Sequence, residues 1–345
     1  MRIRYLILIF FALALITVTV AVFYQNMNKA GNSAISSKDT ESSSEKTTFE
    51  VEITGIEDPD LEEINHLKFY TAKSTYNSEE MLSAITDYLG RDLEWSVERK
   101  SADQQTNGKY KGWEPYVTAT NQRGDRVEGT NGAMFCLLAD SEVEEANAVD
   151  YIKKFQNELH IGLWQDEKPL LEIVKKENGN ITEYRLEGAI DGYPLNEDIS
   201  NNWEQLDEDG VKYPGLFTTI FVFEKETLHS IQGLWSCNMM KGSKIKYEYQ
   251  DVKDIKSCIY DSIYNPNDSA QKYDFKEYHI AYSRGITEDG NYVFSPWLLL
   301  KGEISYYDNT EKEWQRFENS YVGINLNTRE AVNYLQSEYM DDLFR

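Results

Sequence analysis

The sequence predicts an α+β protein: an N-terminal transmembrane helix, then two or three repeated units of a helix packed on a twisted antiparallel sheet. Three observations lead to this fold class. The chain of 345 residues opens on a long uncharged apolar run, later segments show helical spacing of apolar residues, and alternating segments with turn residues follow each of them. Hydrophobic residues make up 41% of the chain, which is enough for a packed core and excludes disorder throughout.

The first element, residues 1–24, is predicted to be a membrane anchor. Residues 5–24 carry no charge, and about 20 helical residues span about 30 Å, the hydrocarbon thickness of a bilayer. Arg2 and Arg4 favour the cytoplasmic side, whereas Tyr5 at one end and Phe23 and Tyr24 at the other suit the two membrane interfaces. We therefore expect a single-pass protein of the cell membrane whose C-terminal part is extracytoplasmic.

A cleaved signal peptide is the alternative to an anchor. Thr19 and Ala21 supply small residues for a cleavage site, although bulky residues follow them at once. Residues 25–46 are rich in Ser, Asn and charge, so they cannot bury enough apolar surface to offset the entropy of ordering. We expect them to form a disordered stalk.

The first predicted unit covers residues 47–140. A strand is expected at 48–53, and a helix at 78–89, where Ser78 is a plausible N-cap and Gly90 a stop signal. Residues 98–112 are polar and predict an exposed loop. Strands are expected at 116–121 and 133–138, on either side of a turn at 123–124.

The second predicted unit covers residues 141–240. Apolar residues from Val143 to Leu159, including Val149 and Phe155, recur at helical spacing and predict a helix within 141–162. Asn-Gly at 178–179 and Asp-Gly at 191–192 separate alternating runs at 170–175 and 182–189, which is a strong hairpin signal. Further strands are expected at 216–223 and 228–235.

The third predicted unit covers residues 241–345. Val252, Ile255, Ile259 and Ile263 have core spacing and predict a helix over 251–264. Strands are expected at 274–284, 292–304 and 321–325, before a turn at 325–330. The recurrence of a helix followed by antiparallel strands favours units stacked in series.

Two stretches of the third unit resemble PepSY-like units. In those units a "y-x-P-x-W" strand, here YVFSPWLLL at 292–300, precedes a terminal "N-x-x-T-G-E" turn, here NLNTREAV at 325–332. The segment EGAIDGYPL at 187–195 is similar to their "G-x-P" hairpin. The resemblance implies the plan of the YycH and YycI accessory proteins of Gram-positive bacteria, which bind and restrain a membrane sensor kinase. Arg329 departs from it, because the turn usually has Gly there.

Charge and motifs exclude several classes of function. The formal net charge of −24 repels phosphates and makes nucleic-acid binding very unfavourable. The four His residues show no zinc-ligand spacing, and the acidic clusters fail the EF-hand pattern. Because no nucleophile elbow, phosphate loop or dinucleotide turn is present either, we expect no catalytic residues, no metal and no cofactor.

Cysteines and aromatic residues leave two alternatives each. Cys237 and Cys258 would close a disulfide loop if they paired, and the other interpretation is that all three Cys are small core residues. Tyr193, Trp235 and Trp297 are candidates for a groove that takes a glycan or a peptide, although aromatic residues on strands more often pack in the core.

The sequence therefore predicts a non-enzymatic, membrane-anchored protein that regulates or binds another membrane protein such as a sensor kinase. The alternative function is a module that binds cell-wall glycans or peptides through surface aromatic residues. A hydrolase is the remaining, less favoured class.

Overall fold

Strands dominate the structure. The computed structural model describes residues 49–53, 59–90, 93–100, 116–130, 133–195, 211–212, 218–264, 270–287 and 291–334. Of these residues 56% lie in strands and 20% in helices. The predicted fold of repeated helix-on-sheet units is therefore wrong, because the described strands instead form two large sheets.

The strands of the described residues are numbered here in chain order. They are β1 (Phe49–Ile53), β2 (Lys68–Ser74), β3 (Trp95–Lys100), β4 (Tyr116–Asn121), β5 (Arg126–Thr130), β6 (Ala133–Leu137), β7 (Gly162–Gln165), β8 (Lys168–Pro169), β9 (Leu171–Asn178), β10 (Ile181–Ile190), β11 (Tyr193–Pro194), β12 (Val211–Lys212), β13 (Ile220–Glu224), β14 (Thr227–Leu234), β15 (Ser236–Met239), β16 (Ser243–Lys244), β17 (Gln271–Thr287), β18 (Tyr292–Asp308), β19 (Glu313–Asn325) and β20 (Ala331–Tyr334).

The helices of the described residues lie on or between the sheets. They are α1 (Leu61–His66), α2 (Ser78–Gly90), α3 (Ala148–Leu159) and α4 (Val252–Ile263), with a 3₁₀ turn at Glu145–Asn147. The predicted helices at 78–89 and 251–264 are thus confirmed. Asp251 begins α4 by accepting a hydrogen bond from the backbone of Lys253, and Asp254 bonds back to the Asp251 backbone, which forms a capping box.

The first sheet is mixed. Its main order is β1-β17-β18-β2-β15-β7-β8, and β12, β16, β19 and β20 extend it at the sides. β1 runs parallel to β17, and β15 runs parallel to β7. β17 and β18 stay paired from Gln271–Tyr306 to Ile286–Tyr292, and β19 continues beside β18. We call these three long antiparallel strands the arm.

The second sheet is antiparallel. Its order is β11-β10-β13-β14-β6-β5-β4-β3, with β9 beside β10. The turn between β9 and β10 lies at 179–180, one residue later than predicted, and Gly179 has positive φ. The predicted turn at 191–192 is confirmed, and Asp191 and Gly192 both have positive φ. Such a left-handed pair suits a two-residue hairpin because its twist matches that of the strands.

Two helices cover one face of the second sheet, which we call its inner face. Met81, Leu82 and Ile85 of α2 and Ile152 and Phe155 of α3 are buried in one cluster with the inward residues of the strands. The Phe155 ring meets the Phe221 ring edge-on at a centroid distance of 5.5 Å. Helices α1 and α4 instead pack with the first sheet, around Ile64, Ile255 and Phe275.

The physical reason for the wrong fold class is long-range pairing. β2 lies between β18 and β15 in one sheet, so segments far apart in sequence share a ladder rather than closing local units. Periodicity reports which face of a strand is buried, but it does not report which strand lies beside it. The boundaries 47–140, 141–240 and 241–345 stay predictions.

The predictions that concern a membrane need a correction. The anchor at 1–24, with Arg2, Arg4, Tyr5, Phe23 and Tyr24, and the stalk at 25–46 lie outside the described residues. In the part of the chain that the structure describes, every helix is too short or too polar to cross a bilayer. Single-pass membrane localisation and a partner held in the same membrane therefore have no support from the structure, and we do not retain them.

Candidate functional site

A concave surface lies on the second sheet, on the face that points away from α2 and α3; we call it the outer face. Side chains alternate between the two faces of a strand, so the neighbours of the inner residues point outward here. The concavity encloses about 560 Å³, and five strands supply its lining. The lining residues are Arg126, Glu128, Phe135, Cys136, Leu137, Ile181, Glu183, Val222, Glu224, His229, Ser230 and Gln232.

The strand register sets these side chains in a row across the outer face. Glu183 of β10 pairs with Val222 of β13, and Val222 pairs with Ser230 of β14. Ser230 pairs with Leu137 of β6, which pairs with Arg126 of β5. The row therefore has an acidic end, a largely apolar centre and a basic end.

Two apolar side chains on the outer face remain in contact with solvent. Leu137 is 47% exposed and Ile181 is 39% exposed. The strands themselves are apolar without alternation, since β6 reads AMFCL and β13 reads IFVFE. Continuous apolar strands are typical of sheets covered on both faces. The outer face thus has the composition of a surface that another layer covers.

Pairs of ionisable side chains surround the apolar centre. Arg126 contacts Glu128, Arg185 Nη2 lies 2.7 Å from Glu183 Oε2, and His229 Nε2 lies 4.0 Å from Glu224 Oε1. Such partly exposed pairs contribute little to stability. Their consequence is that both signs of charge lie at the rim.

A second concavity, the arm cleft, lies on the arm. It encloses about 410 Å³ and is lined by Lys272, Tyr273, Asp274, Glu303, Ser305, Trp314 and Arg316. Trp314 is 36% exposed, and its ring meets the Tyr307 ring edge-on at 5.7 Å. The arm cleft therefore combines an accessible aromatic surface with polar groups of several kinds.

The polar groups of the arm cleft include both donors and acceptors. Lys272 Nζ lies 5.1 Å from the centroid of the Trp314 ring. Ser305 Oγ donates to Glu303 Oε1 at 3.1 Å, and Arg316 Nε lies 3.7 Å from the same oxygen. Because cationic and anionic groups alternate, neither a simple anion nor a simple cation fits the whole lining.

Tyr193, one of the predicted groove residues, lies where the second sheet meets the first. Its hydroxyl donates to Glu63 Oε1 at 2.5 Å, and burial followed by this bond raises the pKa of Tyr193 to about 12. Nearby, the Tyr70 hydroxyl of β2 donates to Asp191 Oδ2 at 2.6 Å. Burial and Asp191 likewise raise the pKa of Tyr70. The Tyr70–Asp191 bond thus joins the two sheets, and the Tyr193–Glu63 bond joins the second sheet to α1.

The two predicted groove tryptophans are buried in different places. Trp235 is fully buried in the cluster beneath the inner face, and the guanidinium of Arg284 lies 3.7 Å from its ring centroid. Trp297 is buried in a separate cluster with Leu299 and Tyr321. The structure does not bring Tyr193, Trp235 and Trp297 together on one surface.

None of the three cysteines forms a disulfide in the structure. Cys237 lies on β15 and Cys258 on α4, in different core clusters, and Cys136 lies on β6. Burial raises the pKa of both the Cys136 and the Cys258 thiols. Within the described ranges, no three His, Cys, Asp or Glu side chains converge in a way that could hold a metal ion.

Comparisons with known proteins identify no family. No family model matches the chain, and no curated protein matches it. A crystal structure of an uncharacterized protein from Eubacterium rectale ATCC 33656 is similar at a TM-score of 0.41 and 9% identity, covering 77% of this chain and 86% of that one. A likeness this low carries no argument about fold or function. The resemblance to PepSY-like units gains no support from these comparisons.

Sequence reasoning did not find the outer face or the arm cleft. The available signal for the outer face was the unbroken apolar composition of 133–137 and 220–223. For the arm cleft no local signal exists, because Lys272, Glu303 and Trp314 meet only through the pairing of three strands.

Proposed function

We propose that this protein is a non-catalytic interaction module that binds a segment of a partner protein on its outer face. The observation that carries the proposal is the exposure of Leu137 and Ile181 in the lining of a concave sheet surface that also carries charged residues of both signs. Exposed apolar surface bounded by polar residues is typical of protein-binding sites.

The expected energy of binding follows from the exposed apolar area. Full burial of a Leu or Ile side chain is worth about 1.5–3 kcal/mol. Leu137 and Ile181 are each somewhat less than half exposed. Complete burial of both on binding therefore contributes about 1.5–2.5 kcal/mol to the binding free energy, or about 10- to 70-fold in affinity. They therefore act as anchors, and the charged rim supplies orientation.

A displayed peptide library tests this function. Selection against the wild-type chain is compared with selection against Leu137→Lys and, as a matched control, Val149→Lys, because Val149 is 42% exposed on α3, away from the outer face. We expect enriched peptides that bind the wild type and the Val149 variant but bind the Leu137 variant at least tenfold more weakly. Failure to enrich any peptide, or equal binding to both variants, refutes the proposal.

A second candidate function is saccharide binding in the arm cleft, and Trp314 is the observation that favours it. Sugar hydroxyls both donate and accept hydrogen bonds, which suits the mixture of Lys272, Glu303 and Ser305 around an aromatic ring. Titration with N-acetylglucosamine oligomers should change the tryptophan fluorescence of the wild type. The change should disappear in Trp314→Ala and persist in Tyr260→Ala, which alters an exposed aromatic residue of α4. No response in the wild type refutes this function.

A further inference from the structure

A second row on the outer face runs with the opposite polarity to the first. Arg185 of β10 pairs with Ile220 of β13, which pairs with Gln232 of β14. The next member of the row is Phe135 of β6, which lies opposite the register shift in β14. Phe135 in turn pairs with Glu128 of β5. This row is therefore basic at the β10 end, apolar within and acidic at the β5 end, whereas the first row is acidic at β10 and basic at β5.

We propose that the partner of the outer face is a second copy of this chain, packed face to face about a two-fold axis that lies in the interface parallel to the strands. The proposal rests on the proposed interaction function and names its partner. Such an axis reverses each row, so Glu183 of one copy faces Arg126 of the second copy, and Arg185 faces Glu128. The most common symmetry of homo-oligomers is a two-fold axis, which pairs one patch with itself.

The apolar centre is also self-complementary under this axis. Val222 lies over Leu137 of the second copy in the first row, and Ile220 lies over Phe135 in the second. Ser230, the middle of the first row, lies near the axis and meets its own counterpart. Leu137, which is exposed in one copy, becomes buried in the pair.

A two-fold axis parallel to the rows gives a second packing. Where that axis follows a row, it sets Glu183 over Glu183 and Arg126 over Arg126, and like charges juxtaposed across an interface are strongly unfavourable. Where it lies midway between the two rows, it sets Glu183 over Arg185 and Arg126 over Glu128, which are opposite charges. The charge-swap mixture described below distinguishes the two packings, because only the axis parallel to the strands brings residue 126 of one copy over residue 183 of the other.

The size of the surface makes the expected association weak. Five strands spaced about 4.8 Å apart and roughly three rows of side chains give about 400 Å² per copy. A standard stable interface buries about 800 Å² per partner. The net charge of −24 on each copy also opposes association, although salt near 0.15 M screens charges over about 8 Å. We expect a concentration-dependent dimer with a dissociation constant in the micromolar range or above.

A charge-swap experiment tests the orientation. Sedimentation equilibrium of the full chain at physiological ionic strength should show a monomer–dimer equilibrium. Arg126→Glu and Glu183→Arg should each weaken self-association about tenfold or more, because each sets like charges against each other at both ends of the first row. A one-to-one mixture of these two variants should recover wild-type association, since every facing pair is again of opposite sign. Val149→Lys, outside the face, should leave association unchanged, and Leu137→Lys should weaken it.

The outcomes separate this inference from the proposed function. A wild type that stays monomeric while library peptides bind the outer face refutes the second copy and leaves the interaction function standing. The inference is also refuted if Leu137→Lys leaves self-association unchanged, or if the mixture of the two swap variants fails to associate. If neither self-association nor peptide binding occurs, both proposals fail.

Discussion

The bond between Tyr70 and Asp191 offers a direct test of how the two sheets are joined. Tyr70 lies on β2 of the first sheet with its ring buried, and Asp191 lies in the turn between β10 and β11 of the second. Tyr70→Phe removes only the hydroxyl and keeps the ring. Asp191→Gly removes the acceptor and tolerates the positive φ of 54° at this position.

The expected magnitude follows from the environment of the two groups. A hydrogen bond to a charged group contributes about 1.5–3 kcal/mol when its loss leaves the partner buried. Asp191 is exposed and regains water when the phenol is removed, so we expect Tyr70→Phe to lower the free energy of unfolding by an amount at the lower end of this range, about 1.5–2 kcal/mol. The coupling energy of the double-mutant cycle should be about 1 kcal/mol.

Urea unfolding followed by tryptophan fluorescence measures this cycle. Tyr260→Phe, at an exposed ring of α4, is the matched control and should change the free energy of unfolding by less than about 0.5 kcal/mol. If the Tyr70 and Asp191 substitutions are additive within about 0.3 kcal/mol, the bond does not couple the sheets and the reasoning fails.

Three further predictions concern stability. Since the pKa of Tyr193 is raised from 10.0 to about 12, its contribution to stability is complete below pH 10 and is lost as the pH rises through about 12. The urea midpoint falls over that window in both the wild type and Tyr193→Phe, because burial also raises the pKa of Tyr70 and of other tyrosines; it should fall less in Tyr193→Phe, and an equal fall in both would contradict the reasoning. Phe155→Ala should lower the free energy of unfolding by about 3–5 kcal/mol, because the ring is fully buried. Val149→Ala on the same helix should lower it by less than about 0.5 kcal/mol in the same urea experiment. Gly302→Ala should lower the free energy of unfolding by about 2–3 kcal/mol, because the added methyl collides with the Asp274 carbonyl. Gly192→Ala should lower it by only about 1 kcal/mol, through backbone strain. Equal melting temperatures for the two variants would contradict this.

Local structure was predictable where neighbouring residues determine it. The helix at 251–264 and the Asp-Gly turn follow from capping, spacing and backbone preference, and the structure has them. The hairpin expected at Asn-Gly also forms, with its turn one residue later, at 179–180. The helix expected within 141–162 begins only at Ala148. The residues before Ala148 instead contact the second sheet, since the Glu145 backbone N–H donates to the Glu226 backbone carbonyl at 2.8 Å. Tertiary pairing there overrides the helical pattern.

The candidate surfaces were less predictable because they depend on pairing between distant strands. Residues 98–112 read as a loop, yet β3 covers 98–100 as the edge of the second sheet. Val149 fits the helical stripe of the sequence but lies on the exposed side of α3. Register decides which side chains share a row, and register is set by turns and by neighbouring strands rather than by composition.

The position of β2 has a consequence for biosynthesis. Both of its flanking strands, β15 and β18, leave the ribosome after it, and β18 begins only at Tyr292. At about 5–20 residues per second, β2 waits about 10–40 s for its last neighbour. In nascent chains that end before that point, the backbone N–H and C=O groups along the edge of β2 are unpaired. We therefore expect the emerging polypeptide to depend on chaperone protection until its final third has been translated.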